Sequence, residues 1–353
     1  MRLVNVNYVS EGAVLAQPVI DSMGRTLLQS GIKLTEAYVQ RLRRLGVDEV
    51  FIEDSQLDDV EPHITLRPRT REQAYETVKS IRHCIESNRL LQVENLRSVI
   101  QRMISDLVGG NEVLGYLSDV KGYDEYTFHH SVNSTILALV LGVHCRLKEG
   151  SLIELGLGTL MHDIGKLKIP MEILNKAGPL TPEEFNEIKQ HPAYGFEILR
   201  KNSDLGLVAA HVALQHQERW DGSGYPRGLK GDKIHEYGRI AAVADVYEAL
   251  TSKRSYRNAG QPYEAYEYIL AHAGVYFEPK IIDVFAKHIA IYPNGYGVAL
   301  SNGQRGNVVK QNIGYPSRPC VRMLFQGDEP LNPPIDYNLP EHPSLLIVGV
   351  ENK

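Results

Sequence analysis

Cysteine is scarce in this chain of 353 residues, and the three cysteines that it has, Cys84, Cys145 and Cys320, stand far apart. An odd number of widely spaced cysteines argues against a disulfide framework and fits a reducing compartment. The first residues lack the apolar core of a signal peptide. The longest apolar run, residues 135–143, is too short for a membrane span, which needs roughly 18 residues. We therefore expect a cytoplasmic protein without a membrane span.

An excess of positive charge is also lacking, because 38 Lys and Arg residues stand against 43 Asp and Glu residues, a net charge of −5. This balance argues against a DNA-binding surface, although a single pocket can still be basic enough for a small anionic ligand. The hydrophobic content of 43% and the charged content of 23% are those of an ordinary globular protein. The length suits two or three domains.

Residues 1–55 have the pattern of a small α+β module, in which Thr35 caps a helix and residues 50–52 form a strand. Residues 56–109 read as a linker followed by one long polar helix with an apolar stripe, from about residue 70 to 108. The simpler interpretation of the stripe is packing on the core of the same chain. The alternative is a seam between two copies of the chain, which would make the protein a homodimer.

Residues 110–290 are nearly all helical in pattern, and Thr181, Pro182 and Glu184 give one helix a clear start. The glycines and proline of residues 221–226 predict a loop. Beyond residue 291 the pattern becomes that of strands, with a hairpin turn at Asn302-Gly303. We thus predict a mainly α protein, in which a helical domain of residues 110–290 lies between the N-terminal α+β module and a small C-terminal β module of residues 291–353.

Histidines and carboxylates recur along the helical segment: His130, His162, Asp163, His191, His216 and Asp245. Imidazole and carboxylate are the usual ligands of iron, manganese and zinc. His162 and Asp163 would leave a helix about 100° apart, so they can reach two neighbouring ions, or Asp163 can bridge them. Lys166, four residues after His162, would share its helix face and contact a phosphate or bound water. A lone histidine such as His272 or His288 is more simply a core residue.

The order and spacing of these motifs resemble the HD-GYP family of bacterial cyclic di-GMP phosphodiesterases. The resemblance rests on His162-Asp163-Ile164-Gly165-Lys166, Asn175-Lys176, Thr181 to Glu184, His191-Pro192 and Gly224-Tyr225-Pro226. It covers roughly residues 110–290 and implies a helical HD-superfamily fold. It also implies hydrolysis of cyclic di-GMP to pGpG, and onward to GMP, by a metal-activated hydroxide at a binuclear site.

The resemblance assigns roles to individual residues. The implied metal ligands are His162, Asp163, His191, His216 and Asp245, together with His130, which matches a histidine that holds an extra metal in three-metal members. Asp163 and Lys166 would act in catalysis. Gly224, Tyr225 and Pro226 would bind the substrate, with Tyr225 lying over it, and Arg254 and Arg257 would bind its phosphate, as arginine does well. The implied cofactor is two divalent ions, iron or manganese first, with zinc or nickel also compatible.

The sequence departs from the family where Gln217 follows His216, because the usual pattern there is a pair of histidines. An amide is a poorer ligand than imidazole, so one ion should bind more weakly. Tyr126 stands where some members carry a glutamate for a third ion, so we expect two metals at most. An alternative function follows: a weak or inactive domain that acts as a receptor for cyclic di-GMP, or contacts a signalling protein. A third alternative is hydrolysis of another nucleotide.

Overall fold

The computed structural model describes residues 1–20, 25–61, 66–108, 126–176, 178–252 and 262–351, and does not describe the side chains of residues 126–128 and 203. The chain divides into two compact units. The first contains the described parts of residues 1–64 and 286–353, and the second contains those of residues 65–115 and 125–285. The two terminal modules, which the sequence separates, thus fall in one unit. The division into four segments that the sequence predicts remains a proposal.

The N-terminal part of the first unit is an α+β structure, as predicted. Its elements are β1 (Arg2–Asn5), β2 (Val19–Ile20), β3 (Thr26–Leu28), α1 (Glu36–Arg44) and β4 (Glu49–Ile52). Strand β1 pairs antiparallel with β4, and β2 pairs antiparallel with β3. The Thr35 side chain accepts a hydrogen bond from the Tyr38 backbone N–H and so caps α1. Val39 and Leu42 on α1 pack into a core with the fully buried Leu15 and Leu34.

The C-terminal part of the first unit is a five-stranded antiparallel sheet with the order β8-β7-β6-β5-β9. Its strands are β5 (Gly297–Leu300), β6 (Gln304–Lys310), β7 (Cys320–Gln326), β8 (Glu329–Asn338) and β9 (Ile347–Val350). The predicted hairpin joins β5 and β6, and Gly303 in its turn has a φ of +82°, which favours glycine. This confirms the small β module.

The two terminal parts of the first unit are joined by hydrogen bonds and an ion pair. The Leu3 N–H donates to the Gly295 carbonyl at 2.9 Å. The Arg322 guanidinium contacts the Asp59 carboxylate at 2.7 Å. Because these contacts cross more than 200 positions of sequence, the N-terminal and C-terminal parts form one folded body.

The second unit is helical. Its helices are α2 (Pro68–Glu86), α3 (Val93–Val108), α4 (Tyr126–His144), α5 (Glu149–Leu160), α6 (Met171–Leu174), α7 (Pro182–Ile188), α8 (His191–Leu199), α9 (Leu207–Gln215), α10 (Glu236–Thr251), α11 (Pro262–Ala271) and α12 (Pro279–His288), the last of which ends in the first unit. Helices α4, α5, α9 and α10 pack against one another. Glycines permit close packing here, since a Cβ on Gly158 of α5 would lie 2.6 Å from the Val212 side chain of α9. Among the residues described, no helix is long and apolar enough to cross a membrane.

The segment that was predicted as one long helix is two helices, α2 and α3, separated by a turn in which Asn88 has a φ of +53°. The apolar stripe faces the interior of the second unit, because Val78, Ile81, Ile100 and Met103 are all buried. Their burial agrees with the simpler interpretation of the stripe, which is packing on the core of the same chain. Since these four side chains form part of the unit's own core, they support packing within the chain, and a homodimer through residues 70–108 stays a prediction.

Candidate metal centre

Five separate stretches of the helical unit bring the six predicted ligands together. His130 lies on α4, His162 and Asp163 follow the end of α5, His191 begins α8, His216 follows the end of α9, and Asp245 lies on α10. All six side chains are buried. We refer to His130, His162 and Asp245 as the first half of the centre, and to His191 and His216 as the second half.

Asp163 lies between the two halves and turns one carboxylate oxygen toward each. Its Oδ2 is 3.4 Å from Nε2 of His130 and 3.5 Å from Nε2 of His162. Its Oδ1 is 3.4 Å from Nε2 of His191 and 3.8 Å from Nε2 of His216. This arrangement is the one that a bridging carboxylate would need.

The protein fixes the tautomer of each histidine. In three of them Nδ1 lies beside a backbone carbonyl three residues earlier, and a carbonyl can only accept, so Nδ1 must carry the proton. The pairs are His162 with Thr159 (2.7 Å), His191 with Ile188 (2.7 Å) and His216 with Ala213 (2.9 Å). Nδ1 of His130 instead lies 2.5 Å from the buried carboxylate of Glu248. Each Nε2 therefore presents a lone pair to the centre, as in proteins whose histidines bind metals.

The spacing of these nitrogens fits metal ions. The two Nε2 atoms of His130 and His162 are 3.1 Å apart, and so are those of His191 and His216. Two facing lone pairs repel at that distance unless a cation lies near both. Adjacent ligands with bonds of about 2.1 Å to one ion are separated by about 3 Å when they meet it at roughly a right angle. Possible ligand atoms of His130, His162 and Asp245 lie within 4.8 Å of one another, as do those of His162, Asp163 and His216.

The charges of the centre also favour divalent cations. Asp163, Asp245 and Glu248 place three carboxylates in the protein interior, where an uncompensated charge is costly. Lys166 contributes one positive charge, with its Nζ 2.6 Å from Oδ2 of Asp163. Positive ions among these groups would offset the remaining negative charge.

Two histidines and two carboxylates of the centre are held in the ionisation states that bind metals. Burial lowers the pKa of His191 to about 4 and that of His216 to about 3, so both imidazoles are neutral near pH 7. Burial acts to raise the pKa of Asp163, but the adjacent Lys166 ammonium acts against it, and this pKa lies well below its usual value. The pKa of Asp245 also lies well below its usual value, although burial acts to raise it.

A close approach of two backbone segments places Asp163 beside His191. Helix α5 ends at Leu160, and His162 and Asp163 lie in the following turn, ahead of a 3-10 helix at Ile164–Lys168. The expectation that they project from a regular helix was therefore wrong. A Cβ on Gly165 would lie only 1.8 Å from the carbonyl oxygen of His191, so glycine alone fits here. Lys166, which is one-third exposed, pairs with Asp163.

The loop that carries Gly224, Tyr225 and Pro226 folds back over the residues that follow His216. The Tyr225 N–H donates to the Gln217 carbonyl at 3.1 Å. A Cβ on Gly224 would lie 2.4 Å from the backbone nitrogen of Arg219, which explains the need for glycine. The Tyr225–Pro226 peptide bond is cis. The Tyr225 ring lies 6.3 Å from that of His191, at the edge of the centre. Burial raises the pKa of Tyr225, so its hydroxyl remains a donor.

Two buried glutamates, Glu218 and Glu248, support the centre and were not among the predicted site residues. Glu248 lies one turn after Asp245 on α10 and contacts His130, so the three-residue spacing was the signal that could have identified it. Glu218 accepts hydrogen bonds from the backbone of Arg227 (2.8 Å) and Leu229 (2.9 Å), and so fixes the end of the loop. Its position beside a predicted ligand gave no indication of this role.

Gln217 directs its amide nitrogen, not a lone pair, toward the centre, where it lies 2.8 Å from Oδ2 of Asp245. The predicted phosphate ligands Arg254 and Arg257 lie outside the described residues, as does the side chain of Tyr126. The structure therefore gives no position for these three side chains.

Comparisons with known proteins agree with this fold. Residues 122–281 match the family model described as an HD domain. A cyclic di-GMP phosphodiesterase of Pseudomonas aeruginosa is 38% identical over 208 residues, 59% of this chain and 50% of that protein. One of Thermotoga maritima is 41% identical over 177 residues, 50% of this chain and 48% of that protein. A 3'3'-cGAMP-specific phosphodiesterase of Vibrio cholerae is 44% identical over 129 residues, 36% of this chain and 25% of that protein.

The chain thus spans about half the length, or less, of these curated relatives. Among solved structures, a HDG"Y"P protein of Bdellovibrio bacteriovorus, Bd1817, is similar with a TM-score of 0.53 at 16% identity, covering 80% of this chain and 97% of that one. At this level of identity the similarity concerns the fold.

Proposed function

We propose that the chain, whose residues 122–281 match an HD domain, is a member of the HD-GYP family and hydrolyses the phosphodiester bonds of cyclic di-GMP at a centre of two divalent ions. The observation that carries the proposal is the position of Asp163, whose two oxygens face two separate groups of imidazole nitrogens. Two relatives named as cyclic di-GMP phosphodiesterases support the substrate. The product on this proposal is pGpG, followed by GMP.

In this proposal His130, His162 and Asp245 would hold one ion, His191 and His216 would hold the other, and Asp163 would contribute to both. Bound divalent ions lower the pKa of water and stabilise the charge that grows on a phosphoryl group. Imidazole and carboxylate ligands suit iron or manganese first, with zinc or nickel also compatible.

Residues around the ligands supply positioning and charge. Glu248 fixes the ring orientation of His130 and raises its basicity as a ligand. The Lys166 ammonium beside Asp163 is partly exposed and can offset charge on a phosphate oxygen. Tyr225 offers an aromatic face for a guanine base. Arg254 and Arg257 are proposed to bind the phosphate, since arginine makes bidentate contacts with it.

The experiment that tests the proposal combines metal counting with turnover. The protein is purified without oxygen, loaded with Fe(II) or Mn(II), and incubated with cyclic di-GMP, and the products are separated by chromatography. We expect two ions per chain and the appearance of pGpG. The Asp163→Asn variant keeps the size of the side chain but removes its charge, and it should lose turnover. Turnover that is the same in metal-free protein would contradict the proposal.

Gln217 favours a second candidate function, that of a receptor. Its amide nitrogen donates to Asp245 and cannot bind a metal, so the ligands on that side of the centre are His191, His216 and the shared Asp163. An ion held there more weakly could leave cyclic di-GMP bound but not cleaved, or leave the domain to contact a signalling protein. Tight binding without turnover in the same assay would support the receptor. A parallel assay with 3'3'-cGAMP tests the other substrate named among the relatives.

A further inference from the structure

Gln217 lies between the centre and the loop above it and contacts both. Its Nε2 is 2.8 Å from Oδ2 of Asp245, and its Oε1 is 3.0 Å from the hydroxyl of Tyr225. The other oxygen of Asp245, Oδ1, is 3.0 Å from Nε2 of His130. The Gln217 amide thus connects the Tyr225 hydroxyl to Oδ2 of Asp245. The other oxygen of that carboxylate, Oδ1, faces His130.

The chemistry of the partners fixes the orientation of this amide. An ionised carboxylate only accepts hydrogen bonds, so the NH₂ group must face Asp245. The amide oxygen then faces Tyr225, whose hydroxyl has one proton and donates it. The resulting chain runs from phenol to amide to carboxylate, and its last bond is charge-assisted, which makes it the stronger of the two.

We propose that Gln217 is a positioning residue that couples the order of the loop at residues 221–227 to the orientation of the Asp245 carboxylate. With the amide in place, Oδ2 of Asp245 is held by Gln217, and Oδ1 of Asp245 faces His130. Without it, the carboxylate can rotate and the Tyr225 hydroxyl loses its acceptor. Gln217 therefore has a role of its own: it connects Asp245, a predicted metal ligand, to the loop at residues 221–227. The effect of this coupling on catalysis rests on the proposed function, but the coupling itself does not.

Other anchors of the loop do not involve the Gln217 side chain. Glu218 binds the backbone of Arg227 and Leu229, and the Trp220 N–H donates to the Tyr276 carbonyl at 2.9 Å. A change at the Gln217 amide should therefore leave the ends of the loop attached. This makes the connection testable by substitution without loss of the fold.

The test is a double-substitution cycle with Gln217→Leu, Tyr225→Phe and the double variant. The first measurement is hydrogen exchange of backbone amides at residues 221–227 in metal-free protein. Each single substitution should speed this exchange, and the double variant should exchange no faster than Gln217→Leu alone, because both changes break the same connection. Gln40→Leu and Tyr315→Phe, which make the same chemical changes at exposed sites of the first unit, should leave this exchange unchanged.

The second measurement is the affinity for Mn(II) alone, by calorimetry. Gln217→Leu should weaken it by about 10-fold or more, since partners of metal ligands typically contribute 10- to 100-fold, and Tyr225→Phe should weaken it less. Unchanged exchange in Gln217→Leu, additive effects in the cycle, or an unchanged Mn(II) affinity would each overturn the coupling. Neither measurement uses cyclic di-GMP. A protein that shows the coupling but no turnover would reject the proposed function alone, and turnover without the coupling would reject this inference alone.

Discussion

Replacing Gly165 by alanine should disrupt the metal centre, although the residue binds nothing itself. The added Cβ would lie 1.8 Å from the His191 carbonyl oxygen and 2.5 Å from the Gly195 nitrogen. Both are backbone atoms, so no side chain can turn aside. To reach even 3.0 Å from the oxygen, the turn and the start of α8 must separate by about 1.2 Å. Overpacking of this kind costs about 1–3 kcal/mol of folding free energy, and more when backbone must move.

The same separation would move His191 away from Asp163 and His216, to which its Nε2 is now 3.4 and 3.1 Å distant. We expect the second half of the centre to lose metal affinity by at least about 10-fold. The assays are urea unfolding of the metal-free protein and calorimetry with Mn(II). Gly150→Ala is the matched control, because Gly150 lies in helix α5 with open space around it and alanine there should be neutral or stabilising by up to about 1 kcal/mol. Equal stability and Mn(II) affinity in Gly165→Ala and the native protein would refute the reasoning.

Three further predictions concern the ligands and their partners. Glu248→Gln removes the negative charge beside His130 and should weaken Mn(II) binding about 10- to 100-fold, and unchanged calorimetry would contradict this role. In metal-free protein the free energy of unfolding should fall as the pH is lowered from 6.5 to about 4, because the unfolded chain protonates His191 first. At about 1.4 kcal/mol per pKa unit this loss is up to about 3 kcal/mol, and a flat denaturation profile would contradict it. Gln217→His should bind Mn(II) about 10-fold or more tightly than Gln217→Leu, since both variants lose the amide contact with Asp245 and only the histidine supplies an imidazole. If its turnover also exceeds that of the native protein, the missing ligand limits the chemistry.

The sequence predicted the helical domain and the convergence of six side chains because both depend on patterns that are local or tied to known motifs. Helical periodicity and the capping residues around Thr181 define elements without reference to tertiary structure. It did not predict the turn at His162 and Asp163, since helical spacing continues through the motif, and only the approach of His191 to Gly165 shows where the helix must end. The role of Glu248 was likewise hidden, because its partner lies 118 positions away.

The break between α2 and α3 illustrates another limit. The stripe from Val78 to Met103 is continuous enough in the sequence to suggest one helix, and the residues between carry no proline. The chain turns at Asn88, which adopts a positive φ that asparagine tolerates better than most residues. The two helices then present the stripe to one core. The spacing of apolar residues shows which side chains of a helix are buried together, but not what they pack against. The structure was needed to show that these side chains pack on the core of the same chain.

The pairing of the two chain ends within one unit has a consequence for how the protein is made. During synthesis, Leu3 and Asp59 leave the ribosome well before Gly295 and Arg322, with which they pair. At about 5–20 residues per second, the intervening 230 or so residues take roughly 10–50 s to add. In that interval the N-terminal strands have their own small core but not their C-terminal partners, and the helical unit emerges in full before Gly295 does. Proteolysis of stalled nascent chains should therefore find the helical unit protected earlier than the N-terminal part.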